Sequence, residues 1–238
     1  MTLELRNVTV RTRGTISPVS LKNLDIRIEK RDRVALLAPP NSGLDLLVDV
    51  ICGRDAPESG RVIRGSSISW PIPNKSFFHK HQTFVANARF IARLYEVDQN
   101  TFISRVLEMA ELAEIAEERV DHCPAKAASR FAFALGACLP FDIYLFTSTN
   151  VGEKEDREKY GEIIAGMGAR SGLLIATSSG KAAQSYCEKA FVLDPAGAVY
   201  YDDIDEAIEH LQRISKRAEE AAEEELLPAE EDRVFDDF

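Results

Sequence analysis

Residues 38 to 45, Ala-Pro-Pro-Asn-Ser-Gly-Leu-Asp, lie between an apolar run (Val34 to Leu37) and an apolar-periodic stretch that stops at Gly53. Strand, tight turn and helix in that order form the frame of a phosphate-binding loop, G-x-x-x-x-G-K-[ST]. In such a loop, backbone N–H groups at a helix N-terminus cradle phosphate, the lysine supplies a cation and the hydroxyl holds Mg²⁺. Registered on Ala38, the pattern keeps Gly43 and loses the rest. Ala38 stands at the first glycine, Asn41 and Ser42 in the turn, Leu44 at the lysine and Asp45 at the hydroxyl. Pro39 and Pro40 remove two backbone donors. Asp45 brings a carboxylate to the first helical turn, where the helix dipole favours it and where it repels an incoming phosphate. A Mg²⁺ ion bridging Asp45 to phosphate would reverse that sign. The frame of a nucleotide site is present and its chemistry is missing.

Other chemistry is sparse. Cys52, Cys123, Cys138 and Cys187 are scattered, with no C-x-x-C and no neighbouring His pair. No metal site or disulfide framework is expected, and a reduced cytoplasm fits. Thr147-Ser148-Thr149-Asn150 has no His near in sequence and reads as an ordinary turn rather than a nucleophile. Nothing approaches the ~18 consecutive apolar residues of a membrane span. The alternating start, Met1 to Arg6, lacks a signal peptide's apolar core. The net charge of −10 is uneven: residues 217 to 238 hold ten acidic and two basic residues, the rest 29 acidic and 27 basic. A near-neutral body without a clustered basic surface argues against a nucleic-acid partner.

The elements that must position the loop follow from periodicity. A chain of 238 residues, 45% hydrophobic, can bury a full core. Residues 2 to 10 and 21 to 28 alternate (Leu3, Leu5; Leu24, Ile26, Ile28) and predict two antiparallel strands. A turn at Pro57 to Gly60 precedes a strand expected over 61 to 68, and the prolines at 71 and 73 break the pattern. Apolar stripes at Phe84, Ala88, Ile91, Ala92, Tyr95, then Phe102, Val106, Met109, then Ala128, Phe131, Ala132, Leu135, Cys138, Leu139 predict a helical lobe over about 78 to 139. Strands are expected at 143–146, 173–176 and 190–193, with 199–201 as a hairpin partner. A helix at 157–168 supplies the crossover that parallel strands need. A last helix carries Ile204, Ala207, Ile208, Leu211 and Ile214 on one face, with an extension over 213–227. An acidic tail at 228–238 is expected to be dispensable for folding, because Pro228 ends the helix.

Several stretches carry a specific likeness. They are Pro57-Glu58-Ser59-Gly60, Ile68-Ser69-Trp70-Pro71-Ile72, Arg89-Phe90-Ile91-Ala92-Arg93-Leu94-Tyr95, Arg130-Phe131-Ala132-Phe133-Ala134-Leu135, Phe141-Asp142-Ile143-Tyr144-Leu145 and Asn150-Val151-Gly152. Over residues 1 to about 212 the chain resembles the ATP-binding subunit of ABC transporters that export capsular or O-antigen polysaccharide. The resemblance implies an α/β, P-loop NTPase-like fold, the ABC nucleotide-binding domain. Its parts are a mixed-sheet core, an antiparallel β subdomain and a helical subdomain. It implies Mg-ATP as cofactor, a membrane permease as partner, and two subunits paired head to tail, each ATP lying between one P-loop and the partner's signature turn.

The departures fall on the working positions of that family. The adenine-stacking aromatic falls on Thr12, and the γ-phosphate-sensing glutamine on His79. The signature falls on Pro124, Ala125, Lys126 and Ala127. The Mg²⁺-binding Asp and catalytic Glu fall on Thr147 and Ser148, and the switch His on Ser178. The expectation is a non-hydrolytic pseudo-ATPase without a bound metal, cytoplasmic and held at the membrane's inner face through its partner. It would pair with itself or with an active paralogue, and regulate or scaffold polysaccharide export. Two alternatives stand beside it: a slow ATPase rebuilt on Asp45 and Glu153, and an anion or phospho-sugar module built on Lys126. Trp70, Phe77, Phe78 and His79 are the expected permease-facing residues, with Phe84, Phe90 and Tyr95 assigned to the helical core.

Overall fold

Alternation builds the first sheet. β1 (Thr2–Arg11), β2 (Ser20–Glu29) and β4 (Ser59–Arg64) lie in the order β2-β1-β4, all antiparallel. The computed structural model describes residues 2–12, 20–194 and 196–226, with side chains described up to 220; the acidic tail lies outside the described residues. Leu3, Leu5, Leu24, Ile26 and Ile28 all point into one core. Gly60 adopts φ 86 beside a register shift, and a Cβ there would meet the Asn7 carbonyl oxygen at 2.2 Å. Only glycine fits that close approach.

The second sheet has the order β5-β6-β3-β7-β8. β3 (Arg33–Leu37) is central, parallel to β6 (Gly172–Thr177) and β7 (Lys189–Asp194), and β5 (Ile143–Phe146) extends the parallel set. β8 (Gly197–Tyr201) turns back antiparallel on β7, which makes the sheet mixed. α1 (Leu44–Cys52) fills the gap between the two sheets and ends on Gly53, left-handed at φ 76, whose N–H caps the Asp49 and Val50 carbonyls.

Against the other face of the second sheet stands the helical lobe: α2 (Phe84–Leu94), α3 (Gln99–Ala110) and α4 (Ala125–Ala137). Thr83 and Asp98 cap α2 and α3 by accepting the Ala86 and Thr101 N–H groups. The lobe closes on Phe131, fully buried, with Phe84 edge-on at 5.0 Å and Phe78 at 5.3 Å. α5 (Arg157–Gly168), α6 (Gly180–Tyr186) and α7 (Ile204–Leu226) complete the chain, and α7 runs unbroken past residue 212. Among the described residues no helix is long and apolar enough to cross a membrane.

Three expectations change. β4 runs 59–64, not 61–68: past Gly65 the chain leaves the first sheet, and Ile68 and Ile72 make single parallel bridges to Ile143 and Phe146 of the second. α6 was not expected; it has seven residues and buries only Ala183, too little for a readable stripe. Phe90 and Tyr95 are not core. Phe90 is 63% exposed and Tyr95 38%, joined by Leu94 at 63%. Phe131→Ala is expected to cost about 3–5 kcal/mol, read as a lower urea midpoint at unchanged slope.

Candidate functional site

The turn from β3 into α1 is set by two left-handed residues, Asn41 (φ 60) and Gly43 (φ 91). Ser42 N–H closes it on the Pro39 carbonyl at 3.3 Å, and Leu47 N–H starts the helix on the Gly43 carbonyl at 3.2 Å. Gly43 is the N-cap and has no side chain to offer, so the first turn's N–H groups lack a side-chain cap. The carboxylate of Asp45 stands in that turn, exposed, with no partner among the described residues.

A cavity of about 220 Å³ lies over the turn, lined by residues 38 to 45, Thr147 and residues 176 to 178. The fold therefore brings together the loop, Thr147 and the switch position Ser178. Among the described residues no Lys, Arg or His lines this cavity, and its one charged lining residue is Asp45, whereas a larger cavity on the same turn's Pro39 to Ser42 is lined by Lys22 and Arg217. Leu44 also packs against the apolar cluster beneath α1. Ser42 Oγ is buried without a partner. Ser148 does not line the cavity; its Oγ accepts the Asn150 N–H at 3.2 Å. Thr12 borders a different cleft, beside Leu46 and Pro57.

The signature positions lie outside this cavity. Pro124 is the N-cap of α4 and Ala125, Lys126 and Ala127 form its first turn, with no side-chain cap. Lys126 Nζ sits 3.5 Å from the Glu153 carboxylate. That pair weakens both alternative chemistries. Glu153 does not line the loop cavity with Asp45, and Lys126 is not an unpaired cation awaiting an anion.

Beside it, Gly152 adopts φ 70, and a Cβ there would meet Asp156 Oδ2 at 2.1 Å. Arg130 grips both oxygens of Asp156 and reaches Glu111 at 2.9 Å, while Glu153 N–H donates to Asp156 at 2.8 Å. The network joins α3 and α4 to the start of α5. Burial pushes the Asp156 carboxyl up, but the Arg130 hydrogen bonds and the Glu153 N–H outweigh it and hold it below the usual carboxylate range.

The expected permease-facing residues differ in burial. Trp70 is 5% exposed, and Phe77 stacks on it at 4.5 Å and 15°. Phe78 is half-buried against Phe131. These rings help close the lobe onto the sheet. His79 is exposed, and its backbone N–H is held by the Asn87 side chain at 2.7 Å. Exposed apolar side chains lie further on, at Phe90 and Leu94 of α2 and Tyr95 at its C-cap, and also at Val199 and Tyr200 of β8; sequence periodicity offered no warning for Leu94.

The capsule polysaccharide export ATP-binding protein CtrD of Neisseria meningitidis is 31% identical over 197 residues, 82% of this chain and 90% of that protein. The chain belongs to the ABC-type polysaccharide-export ATP-binding family. Other relatives are the ATP-binding protein BexA of Haemophilus influenzae (29% over 197 residues, 82% and 91% covered) and the polysialic acid transport ATP-binding protein KpsT of Escherichia coli (31% over 191 residues, 79% and 87% covered). Among solved structures, the dimeric ATP-binding cassette MJ0796 bound to ADP and Pi superposes with a TM-score of 0.70 at 18% identity, over 82% of this chain and 96% of that one. No family model matches the chain. The fold of this polysaccharide-export family member is thus the ABC cassette.

The Arg130–Asp156 pair makes a pH prediction. Because the folded carboxyl lies below its ordinary value, its contribution is complete above about pH 4 and is lost as pH falls through the folded value. D156N should flatten the acid limb of the stability curve, with urea midpoints converging on wild type as pH falls well below the ordinary carboxylate range. Midpoints separated by a constant amount throughout that acid range would remove the pair's role.

Proposed function

We propose that this chain is a subunit of a polysaccharide-export assembly that keeps the ABC cassette fold and does not bind or hydrolyse nucleotide. One observation carries the reading: among the described residues no cation lines the cavity formed by residues 38 to 45, Thr147 and residues 176 to 178, and Asp45 stands where the metal-holding hydroxyl belongs. Thr147 and Ser148 leave no acid to hold Mg²⁺ or activate water, and Ser178 leaves no switch histidine.

Its role is regulatory or scaffolding. In a head-to-tail pair with an active paralogue, the altered loop would impair one site and the altered signature the other. Such a pair would have no intact site, unlike an ordinary half-motor. The membrane partner is a permease, reached through the exposed side of α2. Phe90 and Leu94 are four residues apart on that side, opposite the buried Ala88, Ile91 and Ala92, with Tyr95 beside them. Exposed aromatics of this kind are suited to anchor a partner helix.

Calorimetric titration with Mg·ATP at millimolar concentration should give no binding heat. Losing a few charge-assisted contacts at ~1.5–3 kcal/mol each carries a micromolar site past millimolar. A dissociation constant below a millimolar would sink the reading. L44K with D45S should not restore turnover, because Ser148 still lacks a base. The permease arm is separate: F90S with L94S should release the chain from native membranes at nearly unchanged melting temperature, whereas F77S with F78S should lower that temperature by several degrees. Retention of the F90S/L94S variant on membranes would remove the α2 surface from consideration.

A further inference from the structure

We propose that this chain binds an amphipathic anion, a phosphate group carried on an apolar body, in a second cavity beside the loop. That cavity has a volume of about 790 Å³ and shares Pro39 to Ser42 with the smaller one over the turn, but not Asp45 or Thr147. It lies at the carboxyl ends of the neighbouring parallel strands β3 and β7, the edge of an open α/β sheet where ligands settle. The start of β2 and the far part of α7 complete it. Ile214, Arg217 and Ala218 lie past residue 212, outside the stretch that resembles the family, so this wall is no part of the nucleotide frame.

The lining sets the chemistry of the ligand. Lys22 of β2 and Arg217 of α7 are exposed, and neither has an ion-pair or hydrogen-bond partner among the described residues. Asp194 is the one carboxylate of the described lining, and it is engaged by the Ala196 and Gly197 N–H groups, which donate to it at 2.7 and 3.0 Å. Two cations against one carboxylate leave the lining cationic. Leu21 and Leu193, both buried, join Ile214 and the two prolines in an apolar wall that an inorganic ion cannot use. Ser20 Oγ and Ser42 Oγ, on two further lining residues, are buried without a hydrogen-bond partner, which costs free energy until something polar pairs them. A mostly apolar cavity of this size with a few polar groups suits a small molecule. Arginine and lysine together favour phosphate, which a guanidinium meets through two parallel hydrogen bonds.

Calorimetry on the full chain tests this with octyl phosphate, kept below the concentration at which it aggregates. It should bind with a dissociation constant below about a millimolar, and inorganic phosphate or octanol about tenfold more weakly or worse, because each supplies only part of the contact. K22A or R217A should weaken octyl phosphate by about tenfold. A218E, which adds a carboxylate to the lining, should abolish its binding. All three positions are exposed, so the melting temperature should stay unchanged and loss of binding reports the cavity. Octyl phosphate weaker than a millimolar, inorganic phosphate bound equally well, or binding indifferent to the three substitutions would overturn the proposal. Mg·ATP titrated into the same samples separates this from the functional reading. Mg·ATP bound equally by wild type and A218E sinks the nucleotide-free reading and leaves this site standing. Mg·ATP bound by wild type and lost in A218E puts nucleotide in this cavity and overturns both. Neither ligand bound overturns this proposal alone.

Discussion

α1 lies between two sheets, and its apolar residues serve both. Leu47, Val48, Val50 and Ile51 pack with side chains of β1 and β2 on one side and with Val34, Leu36, Leu145 and Leu174 on the other. Four such side chains carry on the order of 6–12 kcal/mol of burial, comparable with the ~5–15 kcal/mol net stability of a whole domain. A helix in that slot must be entered from β3 by a tight reversal, which Asn41 and Gly43 provide. That geometry is required by packing whether or not an anion sits above it. The residues that would hold a nucleotide never enter this account, so they can change while strand, turn and helix persist.

Under the proposed reading, the residues at the loop suit a site without nucleotide. An uncapped helix start carries partial positive charge that a phosphate would otherwise satisfy, and Asp45 supplies negative charge from within the chain. Leu44 joins the apolar cluster in the place where a lysine would reach outward. Removing the cation and adding an anion act on the same few atoms and in the same direction. The pairing of Lys126 with Glu153 does likewise at the α4 start, giving each altered turn or its neighbour an internal counter-charge.

Much of the fold was legible because burial imposes periodicity. β1, β2, β5 and α5 stand where alternation and apolar runs predict them, and Gly53 ends α1 as expected. The convergence of Ala38 to Asp45, Thr147 and Ser178 on one cavity followed from the family register and could not have come from spacing alone. What failed was local. α6 buries one residue, so it leaves no stripe. Phe77 and Phe78 sit in no periodic element, yet tertiary contacts with Trp70 and Phe131 bury half of each. Phe90 falls in an apolar-rich helix, and composition could not tell its outward side from its inward one. The Arg130–Asp156 pair spans 26 residues and leaves no mark in sequence at all.

That pair bears on how the molecule is held. The helical lobe is joined to the sheet domain by the buried Phe131 cluster and by one charged strut from Glu111 and Arg130 to Asp156. Breaking a part-buried pair strands one charge in a place that resists solvation, so the strut opposes rotation of the lobe in both directions. Under the proposed reading, this strut and the Phe131 cluster hold the lobe by groups within the chain, with Phe90 and Leu94 on the outward side of α2.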